Sequence, residues 1–268
     1  MAENILKELP IKPASNFIKR TIIGIIVIAL FIWALDGLNY KGLMDTAQGT
    51  FLAMIRGILN PDMDYLTNYT IDGLPYAILE TIAIAISGTF VSGILAIPFA
   101  LLASENIVGK RISRIGKIII TMIRTFPEII LALIFISVVG PGAPAGILAL
   151  GIHSIGMLGK LFSESIESMD IGVKEAVESC GGNNSEILFR AVIPQVAPEF
   201  LSYTLFRFEI NMRAASTLGL VGAGGIGAPL IFAIRNRNWE RTSLIVFVLI
   251  ITVSIIDIIS SRIRKKLV

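Results

Sequence analysis

The chain has 268 residues, of which 54% are hydrophobic and only 16% charged, with a mean hydropathy of +0.78. A soluble domain of this length carries about a quarter of charged residues, so the composition excludes a water-soluble globular protein and points to an integral membrane protein. The net charge of +3 arises in basic segments without interleaved stacking aromatics, which excludes a nucleic-acid face, while one cysteine (Cys180) and one histidine (His153) exclude an internal disulfide and a cysteine or poly-histidine metal cluster.

Residues 1–20 are polar and hold Lys7, Lys12, Lys19 and Arg20; residues 22–35 are continuously apolar. No small-residue cleavage site follows, so this run reads as a retained first span over about residues 18–38 rather than a leader. Its basic flank puts the N-terminus in the cytoplasm. Residues 39–73 set Asp45, Asp62, Asp64 and Asp72 against Lys41 and Arg56. Phe51, Met54, Ile55 and Ile58 recur there at helical spacing, interrupted by Gly49, which reads as an external helix lying in the interface. Residues 1–73 are therefore expected to form a cytoplasmic segment, one span and an external segment.

Residues 74–263 hold the expected core. The second span covers 74–103, with Pro75 where a helix can start, Pro98 near its inner end, and small residues at Ser87, Gly88, Thr89, Ser92 and Gly93 for close packing. Lys110, Arg111, Arg114 and Lys117 mark a cytoplasmic segment. A third span, 118–139, contains Arg124, Pro127 and Glu128, and an uncharged turn, 140–146, leads to a fourth span over 147–167. The fifth span, 198–218, carries Arg207, Glu209, Asn211 and Arg213. The glycine-rich stretch 216–227, a short apolar run 226–234 and a last span 242–260 follow, and the basic end from Arg262 leaves 264–268 as a cytoplasmic tail. The expected fold is all-α, a polytopic membrane bundle of about six transmembrane helices with both termini inside and no internal repeat.

Between the fourth and fifth spans, residues 170–196 form the longest mostly polar run in the second half. Asp170 is placed to cap a short helix with Val173, Ala176, Val177 and Cys180 on one face. Gly181 and Gly182 end it, and Asn183 with Glu186 reads as a capping box for a second helix that stops before Pro194. Two short amphipathic helices at an angle suit a groove on a soluble partner. The charges of the earlier loops place this segment on the cytoplasmic side.

The run EAVESCGGNNSEILFRAVIP, from Glu175 to Pro194, resembles the EAA loop of bacterial ABC-importer permeases. Glu175, Ala176, Gly181 and the pair Ile193-Pro194 stand at the matching places, and Val177 replaces the second alanine of the pattern. RTFPEIILALIF from Arg124, GPGAPAGILALGIHSIGMLGKLFSESIES from Gly140 and FRFEINMRAASTLGLVGAGGIG from Phe206 are similar to the phosphonate-importer branch of that family; methionine-importer permeases share the glycine-rich ending in looser form. The resemblance implies a type I ABC-importer permease fold in a bacterial cytoplasmic membrane. It also implies a homodimer working with two ATPase subunits and an extracytoplasmic binding protein. The loop, with Gly182 beside Gly181, would be the coupling element. Phosphonate or a related phosphorus oxyanion is the implied cargo, with a methionine-type or other small-solute importer as the alternative.

No GxxxxGK[ST] is present, so the chain is expected to be no enzyme and to hold no cofactor: ATP and magnesium would belong to the ATPase partner. A channel or secondary transporter has no need of a two-helix cytoplasmic plug, and a membrane enzyme would need a clustered set of His, Asp or Cys. Charges within spans face a partner or a wet cavity. Arg213 is the first candidate on the translocation pathway, since a guanidinium matches an oxyanion as a two-pronged donor, and its alternative is an ion pair with Glu209 at i, i+4. Arg124 has the same alternatives with Glu128, and Arg207 is a packing or gate residue. Pro127, Gly222, Gly224, Gly225 and Gly227 are hinge or gate candidates, the glycines serving either mobility or close packing. His153 and Cys180 read as packing residues, and no metal site is expected.

Overall fold

A computed structural model of the chain describes residues 17–36 and 43–266, so Lys7, Lys12, Lys41 and the far end of the first span at 37–38 lie outside the described residues. Two compact units are distinguished, residues 1–53 and 54–268. In the first, α1 (Phe17–Asp36) is 20 residues long. At 1.5 Å per residue it covers about 30 Å, the hydrocarbon thickness of a bilayer. Its large apolar side chains from Ile22 to Trp33 are exposed, as a lipid-facing helix requires. The helix α2 (Leu43–Leu59) begins in this unit and ends in the second.

The second unit continues with α3 (Met63–Leu66), α4 (Leu74–Ala103), α5 (Glu105–Val108), α6 (Lys110–Thr125), α7 (Glu128–Val139), α8 (Ala143–Ser168) and α9 (Ile171–Ser179). It closes with α10 (Asn184–Ile187), α11 (Ile193–Leu218), α12 (Gly227–Arg235) and α13 (Trp239–Arg264); no strand occurs among the described residues. The helices α4, α8 and α13 are each long and apolar enough to cross a membrane, and α6 with α7 add a fourth crossing if the bent pair is counted as one span. With α1 and the more polar α11, the chain is a polytopic bundle of about six transmembrane helices, as its sequence predicts.

The bundle is built on α4 and α8, which run side by side because small residues let them. A Cβ on Gly88 would lie 3.0 Å from that of Leu150, and Thr89, Ser92, Ser154 and Gly151 sit in the same contact. Three apolar clusters surround the pair. One joins Ile84, Leu150, Met212 and Leu218 across α4, α8 and α11. A second holds Phe162, Ile166, Ile187, Ala191 and Val196 at the end that carries residues 170–196. The third, with Tyr65, Leu74, Ile226 and Leu244, lies at the opposite end. We call these the loop end and the glycine end.

Proline sets three boundaries differently from the sequence expectation. The third span is broken: Phe126 takes an extended backbone before Pro127, and α6 and α7 meet at 78°. The second loop helix does not stop before Pro194. It widens through a π turn at Leu188–Val192, where Ile193 N–H donates to Leu188 C=O, and continues into α11. A wide turn there relieves the clash between the Pro194 ring and the carbonyl four residues back. The fifth span therefore begins inside α11, which starts at Ile193 rather than Pro198, and Pro198 is accommodated within the helix. The predicted turn 140–146 is also shorter, because Pro144 starts α8 in its first turn.

At the glycine end, the segment Gly219–Val221 makes a 3₁₀ turn, and Gly222, Gly224 and Gly225 have φ of +96°, +83° and +75°, the left-handed region that favours glycine. Close packing is the structural role seen there. A Cβ on Gly227 would lie 2.2 Å from the Ser216 carbonyl oxygen, and one on Gly224 2.7 Å from the Ala143 nitrogen. The turn is also gripped by side chains of α4: Gly225 N–H donates to Glu80 Oε2 at 2.9 Å and Ile226 N–H to Thr81 Oγ1 at 2.8 Å. Glu80 thus has its partner in the Gly225 backbone amide. Gly227→Ala is expected to destabilise the protein by about 1–3 kcal/mol through overpacking against backbone, read as a lower melting temperature of the purified chain in detergent; an unchanged melting temperature would mean the turn is loose.

Candidate functional site

Two sites are built on this frame, one at the loop end and one inside the bundle. The loop-end site begins with Asp170, whose carboxylate accepts from Gly172 N–H at 2.9 Å and caps α9. Gly181, at φ +81°, stops that helix, with its N–H donating to Glu178 C=O and that of Gly182 to Val177 C=O. The capping box is complete: Glu186 N–H donates to Asn183 Oδ1 and Asn183 N–H to Glu186 Oε2, both at 2.9 Å.

Four contacts that periodicity does not reveal close the loop and fix its base to the bundle. Gln195 closes it, its amide accepting from Asp170 N–H at 3.2 Å and donating to Asp170 C=O at 3.3 Å. Lys174 Nζ reaches across to donate to Asn106 C=O at 2.8 Å, just beyond α5 residue Glu105. Ser165 on α8 bonds Glu199 on α11, and one helical turn away the rings of Phe162 and Phe200 stack with centroids 3.9 Å apart. Between α5, α9 and α10 lies a cavity of about 460 Å³ reached by Lys174, Glu178, Asn184 and Leu188.

The outer face of the loop is left uncovered by this chain. Glu175, Ala176, Gly181, Ile193 and Pro194 are exposed and Gly182 is half-buried. Ile171, Val173 and Phe189 are exposed at 49%, 39% and 66%, which are high values for apolar groups outside a lipid-facing span. Cys180 is exposed too, against the expectation of a packing role, because only Lys174 and Val177 of α9 turn toward the bundle.

Inside the bundle, a chain of polar side chains links α11, α8 and α4. Arg207 Nε donates to Ser154 Oγ at 2.8 Å, Ser154 Oγ donates to Asn211 Oδ1 at 3.1 Å, and Asn211 Nδ2 donates to Thr89 Oγ1 at 2.8 Å. Thr89 then donates to Ala85 C=O. Arg207 is 3% exposed and Asn211 is fully buried. The Arg207 guanidinium has Met157 sulfur beside Nη1 at 3.1 Å, yet Nη2 has no hydrogen-bond partner among the described residues and no carboxylate forms an ion pair with it.

Neither predicted i, i+4 ion pair forms. Glu209 turns to α13, where its carboxylate lies 3.8 Å from Arg264, so Arg213 is exposed and without an ion pair among the described residues. The kink before Pro127 removes the helical register that would join Arg124 to Glu128. Glu128 instead lies 3.8 Å from His153 Nε2, while His153 Nδ1 is 3.1 Å from the Phe126 carbonyl that the break leaves free. Sequence gave no sign of that link, since His153 stands alone on its helix face. The contact with Arg264 also gives Arg213 its level: it lies about one helical turn, roughly 6 Å, beyond the point at which α13 ends on α11. Among the described residues, no group of three or more His, Cys, Asp or Glu is placed to hold a metal ion.

The family model described as "Binding-protein-dependent transport system inner membrane component" matches residues 96–268. The chain is 35% identical over 189 residues to the phosphite transport system permease protein PtxC of Stutzerimonas stutzeri, covering 70% of this chain and 69% of that one. It is 34% identical over 236 residues to the phosphate-import permease protein PhnE of Mycolicibacterium smegmatis, covering 88% of this chain and 43% of that longer one. With the putative cryptic phosphonate transport system permease protein PhnE2 of Escherichia coli it shares 44% identity over 121 residues, 45% of this chain and 99% of that one. Its fold matches the inward-facing MetNI methionine ABC transporter with a TM-score of 0.64 at 21% identity, over 73% of this chain and 96% of that one. The matched domain, the relatives and the fold agree with the motifs read from the sequence, and the chain belongs to the family of binding-protein-dependent transport system inner membrane components, the permeases of ABC importers.

Proposed function

We propose that this chain is the permease subunit of an ATP-driven importer for a phosphorus oxyanion, a phosphonate, phosphite or phosphate. The cargo class rests on the names of the relatives with 34–44% identity. A probable D-methionine permease of Pasteurella multocida is matched at only 26%, which supports the methionine reading less. A second copy of the chain, an extracytoplasmic binding protein and two ATPase subunits complete the working assembly. The ATPases bind ATP and magnesium, and both termini and the loop end face the cytoplasm.

The observation that carries the coupling reading is the braced projection at 170–196. Its inner side is fixed by Gln195, Lys174 and the Phe162–Phe200 stack, and its outer side exposes Ile171, Val173 and Phe189 around Glu175. An ATPase groove that covers those groups gains apolar burial and moves a rigid body. The π turn makes that body continuous with α11, so displacement of the loop reaches Arg207, Asn211 and Arg213 without a flexible joint. Alternating access is then a rocking of α11 against α4 and α8, with the break at Pro127 as a pivot and the turn at 222–227 as the gate whose grip on α4 the motion would release. Exposed, unpaired Arg213 and Arg124 suit passing contact with an anion, and Arg207 and Glu209 line the inner reach of the same helix.

In the reconstituted transporter, Glu175→Lys or Gly181→Asp is expected to abolish uptake while leaving the chain folded and in the membrane; full uptake with normal binding-protein-stimulated ATP hydrolysis in both variants would refute the coupling role. Arg213→Ala is expected to lower uptake about tenfold or more, the worth of one charge-assisted hydrogen bond, with subunit assembly intact. Arg207→Met separates structure from transport. Replacing a buried unpaired cation by an apolar group of similar length should leave stability equal or higher, so a loss of uptake without a loss of melting temperature assigns Arg207 to the pathway, and unchanged uptake removes it.

A further inference from the structure

The helix α6, of which the coupling reading uses only the far end at Arg124, has two different sides. Its inner side is fixed hard against the bundle: a Cβ on Gly116 would lie 2.6 Å from the Leu102 carbonyl, Ser113 donates to Ala103 C=O, and Ile120 packs on Gly159. The outer side is therefore set. Lys110, Arg111 and Arg114 are exposed on the first turns and have no ion pair among the described residues, whereas Lys117 is already held between Glu105 at 3.2 Å and Glu167 at 2.9 Å. Further along, the exposed groups become apolar, with Ile115 at 58%, Ile118 at 50% and Met122 at 63%. A groove of about 410 Å³ runs along this side, from Lys110 and Arg114 past the paired Glu105 and Lys117 to Ile118, Thr121, Met122 and Thr125, so that three cations face one carboxylate.

We propose that this groove holds an anionic phospholipid of the bilayer, its phosphate on Lys110 and Arg114 and an acyl chain along Ile118 and Met122. Polarity along the groove follows that of the lipid: cations at the bundle end, hydrocarbon toward the bundle centre. From Lys110 to Met122 the helix rises about 18 Å, close to the roughly 15 Å of one leaflet's hydrocarbon half. Free phosphate would satisfy the cations and leave the apolar half of the groove empty. A zwitterionic lipid would fill the groove and leave the cations without a net negative partner. The inference stands on the geometry of α6 and on the membrane setting, and not on the identity of the cargo.

The test uses the full-length chain in nanodiscs of equal phosphatidylglycerol and phosphatidylcholine, with retained lipid counted by native mass spectrometry after transfer to detergent. The wild-type protein is expected to retain phosphatidylglycerol over phosphatidylcholine. Lys110→Gln with Arg114→Gln should lower that preference about tenfold or more, given the contribution of each cation near an anionic surface, and 0.5 M salt should weaken it. Arg114→Lys, which keeps the charge, should retain the preference, as should Arg262→Gln with Lys265→Gln at the basic C-terminal end. Wild-type preference in the α6 double variant, or equal loss in the C-terminal pair, would overturn the proposal. Displacement of phosphatidylglycerol by millimolar inorganic phosphate would reassign the site to a free oxyanion. A monodisperse elution profile for each variant separates loss of lipid from loss of fold.

Discussion

In a bilayer, a polar side chain that leaves the surface must find its partner inside the protein, and in this chain that requirement converges on Asn211. Its amide accepts from Ser154 on α8 and donates to Thr89 on α4, so one buried group fixes the lateral position and rotation of α11 against both central helices. Arg207 joins the same chain one turn earlier. Small residues make this possible. Without Gly88, Gly151 and the serines around them, α4 and α8 would stand too far apart for a single asparagine to bridge.

The network is incomplete at one end, and the incompleteness is informative. A guanidinium 97% out of solvent whose Nη2 has no partner among the described residues is expensive in any low-dielectric setting. Apolar residues would pack there at lower cost. The neighbouring break at Phe126–Pro127 supplies a place for change: Glu128 and His153 are already within 4 Å of each other there, held by no strong hydrogen bond between them.

Motion has a direct route to this point. The loop 170–196 is stiffened by two helix caps, closed by Gln195 and bolted to α8 through Ser165–Glu199 and Phe162–Phe200. It then passes into α11 through a π turn rather than a flexible linker. At the other end, α11 runs into a turn whose Gly219, Gly224 and Gly227 are packed against backbone and whose amides at Gly225 and Ile226 are held by Glu80 and Thr81. The helix is thus gripped at both ends and bridged in the middle, which suits the transmission of a rigid displacement better than local flexing.

Much of the protein is legible in the sequence because the governing physics is local. Hydropathy over 74–103 and 242–260, Pro75 in the first turn of α4, Gly181 at the end of α9 and the Asn183–Glu186 capping box all act within a few residues, and each appears in the structure where the pattern puts it. The motifs around Glu175, Arg124 and Phe206 carry the family for the same reason: they are contiguous. Tertiary structure alone decided the rest. It sent Glu209 to Arg264 and Glu128 to His153, away from their i, i+4 neighbours. These outcomes depend on which distant groups lie within about 4 Å, and i, i+4 spacing carries no information about a partner more than twenty residues away on another helix.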